Sequence, residues 1–359
     1  MHSASASFDF QEPTVVRLSD EERTTGRITL ENIGIAVSAM HRDGLVVLEN
    51  AVNTAHMDAI NAILVKDAEE MAKMDSTHFN GNSVDGRPTG NMSQGPPLEP
   101  ELLFDDIWAN VPAAAVLSAV LGPKPHVNYV NGNTALGGFG DARQRVHADL
   151  FFNHAQFPFA VVANYYLEHV SPANGSTELW LGSHRDTSFL DHRNCHPERA
   201  DTPPSDTDTN TGAKTKEGAT AKGADFGIRD ERLEARRKHA PPMQPTIKKG
   251  SVVLRDLRLW HAGLANPATD PRIMLAFVHT PWWYACPARV VLPASCQAKV
   301  DSWAARLLHP VQYDAHFVPA SLDHRKVKFD PNFSSANKGY LSMLPPHLGS
   351  GYVDDVSKY

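Results

Sequence analysis

From residue 127 onward the chain is cut into short β-rich runs by turn residues, and that pattern restricts the fold more than any other feature. Segments 127–135, 145–151, 159–168, 178–181, 251–254 and 273–280 are rich in β-branched and aromatic side chains, with Gly, Pro, Asn and Asp between them. Short strands of this kind after a helical N-terminal part predict a mainly β fold with flanking α-helices. The expected architecture is an antiparallel double-sheet jelly roll of the cupin kind. Its tapered mouth is a natural cavity for a cofactor.

The first 125 residues read differently. Residues 1–25 form a polar arm. Residues 44–49, after Asp43-Gly44, are β-branched and make a short buried strand. Asn53-Thr54 caps a helix running to about Met74, with Met57, Ile60, Ile63, Leu64 and Met71 at helical spacing. Residues 75–100, rich in Gly, Asn, Ser and Pro, form a long loop. A second helix spans 103–121 and closes at Gly122-Pro123. Within the β region, residues 201–225 hold no aliphatic side chain larger than Ala and bury too little apolar surface to order themselves. They centre an insertion over about 195–245, either a lid or a disordered surface loop, with a helix over 226–238. The plan is therefore an arm (1–25), one domain (26–300) and a C-terminal extension packing on the core (301–359).

Composition removes several functions. A net charge of −7 without a long basic block excludes nucleic acid or an anionic membrane as the main partner. Cys195, Cys286 and Cys296 are too scattered for a disulfide framework or a zinc motif and point to a reducing compartment. Residues 1–17 lack the build of a signal peptide, and no apolar run reaches membrane-spanning length. A cytoplasmic location is expected. The terminal Ser357-Lys358-Tyr359 is only loosely like a peroxisomal Ser-Lys-Leu ending.

The chemistry concentrates in His147, Asp149 and His261. Residues i and i+2 of a strand share a face, so His147 and Asp149 aim an imidazole and a carboxylate at one point. A second strand bearing His261 completes a facial set of two histidines and one carboxylate. Three adjacent coordination positions stay open, the pattern of a non-haem Fe(II) oxygenase. A bidentate 2-oxo acid would fill two of them and O2 the last, with succinate and carbon dioxide released. Arg272 opens the apolar run Ile273-Met274-Leu275-Ala276-Phe277-Val278 and shares a face with Met274, Ala276 and Val278. A guanidinium there needs an anion, either an acidic side chain or the distal carboxylate of a cosubstrate.

These residues, with Asp43-Gly44-Leu45-Val46-Val47, Asn174-Gly175-Ser176, Leu181-Gly182-Ser183-His184, Lys249-Gly250-Ser251-Val252-Val253 and Leu259-Trp260-His261-Ala262-Gly263 followed by Asn266, form an ordered set. Over residues 43–285 the chain resembles the phytanoyl-CoA dioxygenase-like Fe(II)/2-oxoglutarate oxygenases. The resemblance implies a double-stranded β-helix, iron held by His147, Asp149 and His261, and 2-oxoglutarate held by Arg272. It further implies cosubstrate contacts from Gln144 and Thr134, with Asn131 and Asn133 on the other face of the same strand as competitors. Substrate contacts fall to Phe152 and to the loop over 86–98, including Asn91 and Met92. Related halogenases vacate the carboxylate position, so Asp149 argues against halogenation.

His154, His169 and His184 read as structural, Trp260 as packing, and Trp282-Trp283-Tyr284 as outer layer or oligomer contact. The expected function is oxidation of a small organic molecule, a secondary metabolite among the candidates, by Fe(II), 2-oxoglutarate and O2. A metal-dependent hydrolase using zinc-bound water and a silent jelly-roll binding module are the competitors. Assembly is left open, a homodimer included.

Overall fold

The computed structural model describes residues 12–80, 89–139, 141–150, 154, 156–193, 227–284 and 288–327. The described part of the expected arm is built into the fold. It carries strand β1 (Val15–Arg17) and helix α1 (Asp20–Thr25), whose cap Ser19 exchanges hydrogen bonds with Glu22. Helix α2 (Leu30–Asp43) was not apparent in the sequence, because its buried face is mostly small: Ala36, Ala39 and Met40. It ends at Gly44, in the left-handed region at φ 76°, where a Cβ would strike the His184 ring. Strand β2 (Leu45–Glu49) follows as expected, with β1 parallel beside it.

Helix α3 (Thr54–Met71) is capped by the Asn53 side chain and buries Met57, Ile60, Leu64, Ala68 and Met71. The segment expected as an unbroken loop contains strand β3 (Asn91–Ser93), which pairs with β4 (His126–Ala135). The single helix expected over 103–121 is two, α4 (Asp105–Trp108) and α5 (Val111–Leu121). Asn110 breaks it: its side chain accepts from the Ala113 N–H at 2.8 Å and starts a new helix, with Pro112 in the first turn where no N–H is needed.

The remaining elements are β5 (Val161–Tyr166), β6 (Glu178–Leu179), helix α6 (Asp230–Arg237), β7 (Val252–Asp256), β8 (His261–Ala262), β9 (Arg272–Thr280), β10 (Val290–Pro293), helix α7 (Gln297–Ala304), β11 (Gln312–Tyr313) and β12 (Ala315–Val318). Eight strands form the main sheet in the order β1-β2-β7-β5-β9-β4-β11, with β3 also on β4. A small layer holds the antiparallel β6–β8 pair. The strand expected over 145–151 makes no ladder among the described residues. It holds instead by a bridge between His147 and His261, each N–H donating to the other's carbonyl at 2.9 Å, and by single backbone bonds from Asp149 N–H to Leu257 O and from Ile228 N–H to Val146 O. Together the layers form the expected double-stranded β-helix, with one sheet much larger than the other.

One face of the main sheet packs on the helices. Val46, Leu48, Val130, Ile273, Leu275 and Phe277 meet Met57, Trp108 and Leu117 there, and Trp108 sits edge-on to Phe277. The described part of the C-terminal stretch joins this core through Trp303 and Tyr313. Among the described residues no helix is long and apolar enough to cross a membrane.

Candidate active site

Because directly opposed residues of neighbouring strands share a face, the register of the main sheet places every side chain on its other, concave face. Four rows result. Tyr129, Val278, Val162, Arg255 and Leu45 form the first, and Asn131, Ala276, Asn164, Val253 and Val47 the second. Ser93, Asn133, Met274 and Tyr166 form the third, and Asn91, Ala135 and Arg272 the fourth. The small layer lies over this face, and the expected triad belongs to it.

His147, Asp149 and His261 converge: one ligand atom from each lies within 4.8 Å of the others. Asp149 Oδ1 is 3.4 Å from His261 Nε2 and 3.9 Å from His147 Nε2. On each imidazole Nδ1 faces a carbonyl, Arg145 O at 2.8 Å for His147 and Leu259 O at 3.0 Å for His261. A carbonyl only accepts, so Nδ1 carries the hydrogen and Nε2 offers its lone pair inward. Burial lowers the pKa of His147. It pushes His261 down to about 3, with the Arg255 charge adding to the effect, so both rings are neutral near pH 7. Burial alone would raise the Asp149 carboxyl, but Arg255, His261 and His147 outweigh it and hold the group well below the usual carboxylate range. Two neutral imidazoles and one carboxylate oxygen suit a divalent transition metal, and the donor set fits iron.

Arg255 is the neighbour that sequence reasoning missed. Its Nη2 donates to Asp149 Oδ2 at 2.8 Å, and its Nη1 lies 3.3 Å from His261 Nδ1. The strand expected over 251–254 stopped two residues short of its end at Asp256, since Arg255-Asp256 looks like a polar strand end. Arg258, whose guanidinium pairs with buried Asp256, leaves Arg255 without that carboxylate.

Arg272 sits at the far end of the concave face and is 1% exposed. It makes no ion pair or hydrogen bond among the described residues, and its Nε is buried without a partner. Its guanidinium carbon lies 5.8 Å from the centre of the Tyr166 ring, and burial lowers its pKa while Tyr166 and Glu168 oppose that from a distance. Three asparagines of the same face also hold buried, unpartnered amide atoms: Asn91 Oδ1, Asn133 Oδ1 and Asn164 Nδ2. A face with this many polar groups left over is built to receive a polar ligand.

The secondary site residues divide. Gln144 reaches the site: its Oε1 accepts from the Gly263 N–H at 2.8 Å, and a Cβ at Gly263 would lie 2.5 Å from Gln144 Oε1 and 3.1 Å from Asn91 Oδ1. Asn91 thus links the Arg272 row to the segment that follows His261. Thr134 is displaced from its expected role. It lies opposite Ile273 on the helix-facing side and donates to Gln94 Oε1 at 2.6 Å, so Asn131 and Asn133 occupy the concave face instead. Met92 also faces away, buried with Ala68 and Met71 of α3. Phe152 and the stretch 201–225 lie outside the described residues.

Beyond the triad, an apolar cluster abuts Asp149: Leu150, Phe159, Val162, Val278 and Tyr284, with Tyr129 and Trp283 against it. Burial raises the Tyr129 hydroxyl to about 12, Asn131 opposes that by donating to it, and the Asp149 charge adds to the rise. Trp260 is a packing residue, its indole N–H donating to Thr187 and its ring edge-on to Trp180. His184 is structural, bonded to His41 O.

Residues 40–274, well over half of the chain, match the family model described as phytanoyl-CoA dioxygenase (PhyH). The chain is similar to the non-haem alpha ketoglutarate dependent epimerase SnoN from nogalamycin biosynthesis, at 16% identity over 70% of this chain and 84% of that one, with a TM-score of 0.45. It is also similar to EctD from S. alaskensis, solved with 2-oxoglutarate and 5-hydroxyectoine, at 17% identity over 75% and 81%, with a TM-score of 0.45.

Proposed function

The chain belongs to the phytanoyl-CoA dioxygenase family, and from that premise we propose that it is a 2-oxoglutarate-dependent non-haem iron oxygenase acting on a small organic molecule. His147 Nε2, Asp149 Oδ1 and His261 Nε2 would hold Fe(II), and Arg272 would hold the distal carboxylate of 2-oxoglutarate. When bound, iron, 2-oxoglutarate and O2 supply a two-electron oxidation coupled to release of succinate and carbon dioxide.

The protein's own share is placement and exclusion of water. Arg145 O and Leu259 O lock the two ring tautomers. Arg272 gives one end of the cosubstrate a charged fork, and the buried amides of Asn133 and Asn164 lie between that fork and the triad. Gln144 braces the backbone of Gly263, two residues beyond His261. The apolar cluster around Leu150, Tyr129 and Tyr284 gives the substrate a largely uncharged wall on the Asp149 side. Hydroxylation or desaturation of a carbon skeleton such as a secondary metabolite suits that wall.

The observation that carries this reading is the buried Arg272 guanidinium with no anion paired to it among the described residues. 2-Oxoglutarate brings a distal carboxylate to that charge, whereas a zinc hydrolase or a plain binding module would use it only for an anionic ligand of its own. Purified protein with Fe(II), 2-oxoglutarate and air should form succinate, and His147→Ala or Asp149→Ala should reduce it to background. Succinate formation that survives both substitutions would remove the triad from the reaction.

A further inference from the structure

The concave face has a second buried arginine, and its position differs in kind from that of Arg272. Arg255 stands on β7 between Leu45 of β2 and Val162 of β5, both apolar, and is 8% exposed. Its one ion pair among the described residues is with Asp149, through Oδ2 at 2.8 Å. The other oxygen, Oδ1, is the one turned toward the Nε2 atoms of His261 and His147.

We propose that Arg255 is a positioning residue that fixes Asp149 as a one-oxygen ligand, a role that rests on the metal reading given above. A carboxylate can offer a divalent metal one oxygen or two. Turning Oδ2 onto the metal would break a charge-assisted bond and leave a guanidinium buried among Leu45 and Val162 without an anion. Arg255 therefore holds the protein to three donor atoms and keeps the adjacent positions open for a chelating cosubstrate and O2. Its Nη1, against the Nδ1 edge of His261, closes the space into which that ring would tilt.

The site charge follows the same logic. One carboxylate and one guanidinium cancel, so a bound dication leaves a net positive centre that favours a dianionic cosubstrate.

The test uses the full chain and Mn(II) alone as the probe, with bound water counted by proton relaxation. Wild-type protein should hold Mn(II) with about three exchangeable waters, as an open facial triad requires. Arg255→Met should still bind Mn(II) but with about two waters, as Asp149 takes up both-oxygen coordination. Its 2-oxoglutarate affinity should fall by about tenfold or more, since a chelating ligand then competes with the freed oxygen. Arg255→Lys, which keeps the charge and a donor, should restore the wild-type water count, and this variant carries the test if Arg255→Met fails to fold: a lysine variant with fewer waters would then contradict the role. A water count and 2-oxoglutarate affinity unchanged in folded Arg255→Met would overturn the proposal, because a purely structural arginine would alter stability alone. Wild-type protein that binds no Mn(II) would instead defeat the metal reading, and this one with it.

Discussion

On β9, Ile273, Leu275 and Phe277 point into the helix-covered core while Arg272, Met274 and Ala276 point the other way, so one nine-residue strand serves two environments. The helix-facing side is almost wholly apolar, although the Trp108 indole N–H finds no acceptor there among the described residues. Its buried Thr134 passes its hydrogen to Gln94, which in turn donates to Leu64 O. The concave side is open-ended: Asn91, Asn133, Asn164 and Arg272 each keep a buried polar atom without a partner. Each such atom costs about 1–3 kcal/mol of desolvation, so the concave side is destabilising until something binds there. One face specifies the fold, and the other holds interactions in reserve for a ligand.

Substitutions on the two faces should therefore separate stability from binding. The largest effects are expected from a matched pair. Leu275→Ala, at a site with no exposure, should cost about 2–5 kcal/mol of stability and leave 2-oxoglutarate affinity nearly unchanged. Arg272→Ala should do the reverse, costing about 2–5 kcal/mol of cosubstrate binding with little loss of apoprotein stability. Denaturant unfolding alongside calorimetric titration checks both. If Arg272→Ala instead unfolded the apoprotein as readily as Leu275→Ala, the guanidinium would belong to the scaffold.

A smaller effect is expected at Asn164, whose Nδ2 is buried and unpaired. Asn164→Leu removes that polar group while keeping the branched side-chain shape, so the apoprotein should gain up to about 1–3 kcal/mol. The rise in melting temperature produced by Fe(II) and 2-oxoglutarate should shrink in the same variant. Thermal scans with and without ligand would sharpen the contrast between the faces, and a destabilised Asn164→Leu apoprotein would blur it.

The last effect concerns acid. Burial pushes His279 and His184 down to about 4, from an ordinary 6.5. Below that ordinary value the unfolded chain takes up protons that the folded chain refuses, so their contribution is complete above pH 6.5 and is lost as pH falls toward 4. The melting temperature of the apoprotein should decline across that window. His279→Asn should flatten the decline, as followed by circular dichroism.

What the sequence disclosed follows the same division. The jelly roll, the β4 and β9 strands and the triad were legible, because alternation and a His-x-Asp spacing are local signals and the motif Leu259-Trp260-His261-Ala262-Gly263 marks the second histidine. The face of Thr134 was not. A bulge between Val127 and Tyr129 shifts the register, so Val127 and Val130 both reach the core. Counting in twos from Val127 therefore puts Thr134 on the wrong side and leaves Asn131 and Asn133 only as its competitors. Arg255 was missed for a different reason: its meaning depends on Asp149, 106 residues earlier, and no local pattern encodes that pair. Asn110 broke a helix whose apolar run looks continuous, since a capping asparagine is a single-residue signal.

The central claim is that the concave face is completed by iron and 2-oxoglutarate together. Fe(II)-loaded protein, titrated with 2-oxoglutarate in the absence of air, tests it most directly. A visible charge-transfer absorption that grows and saturates at one cosubstrate per chain is the expected result, with saturation lost in Arg272→Ala and the band itself lost in Asp149→Ala. Wild-type protein that takes up Fe(II) yet shows no saturable uptake of 2-oxoglutarate would contradict it.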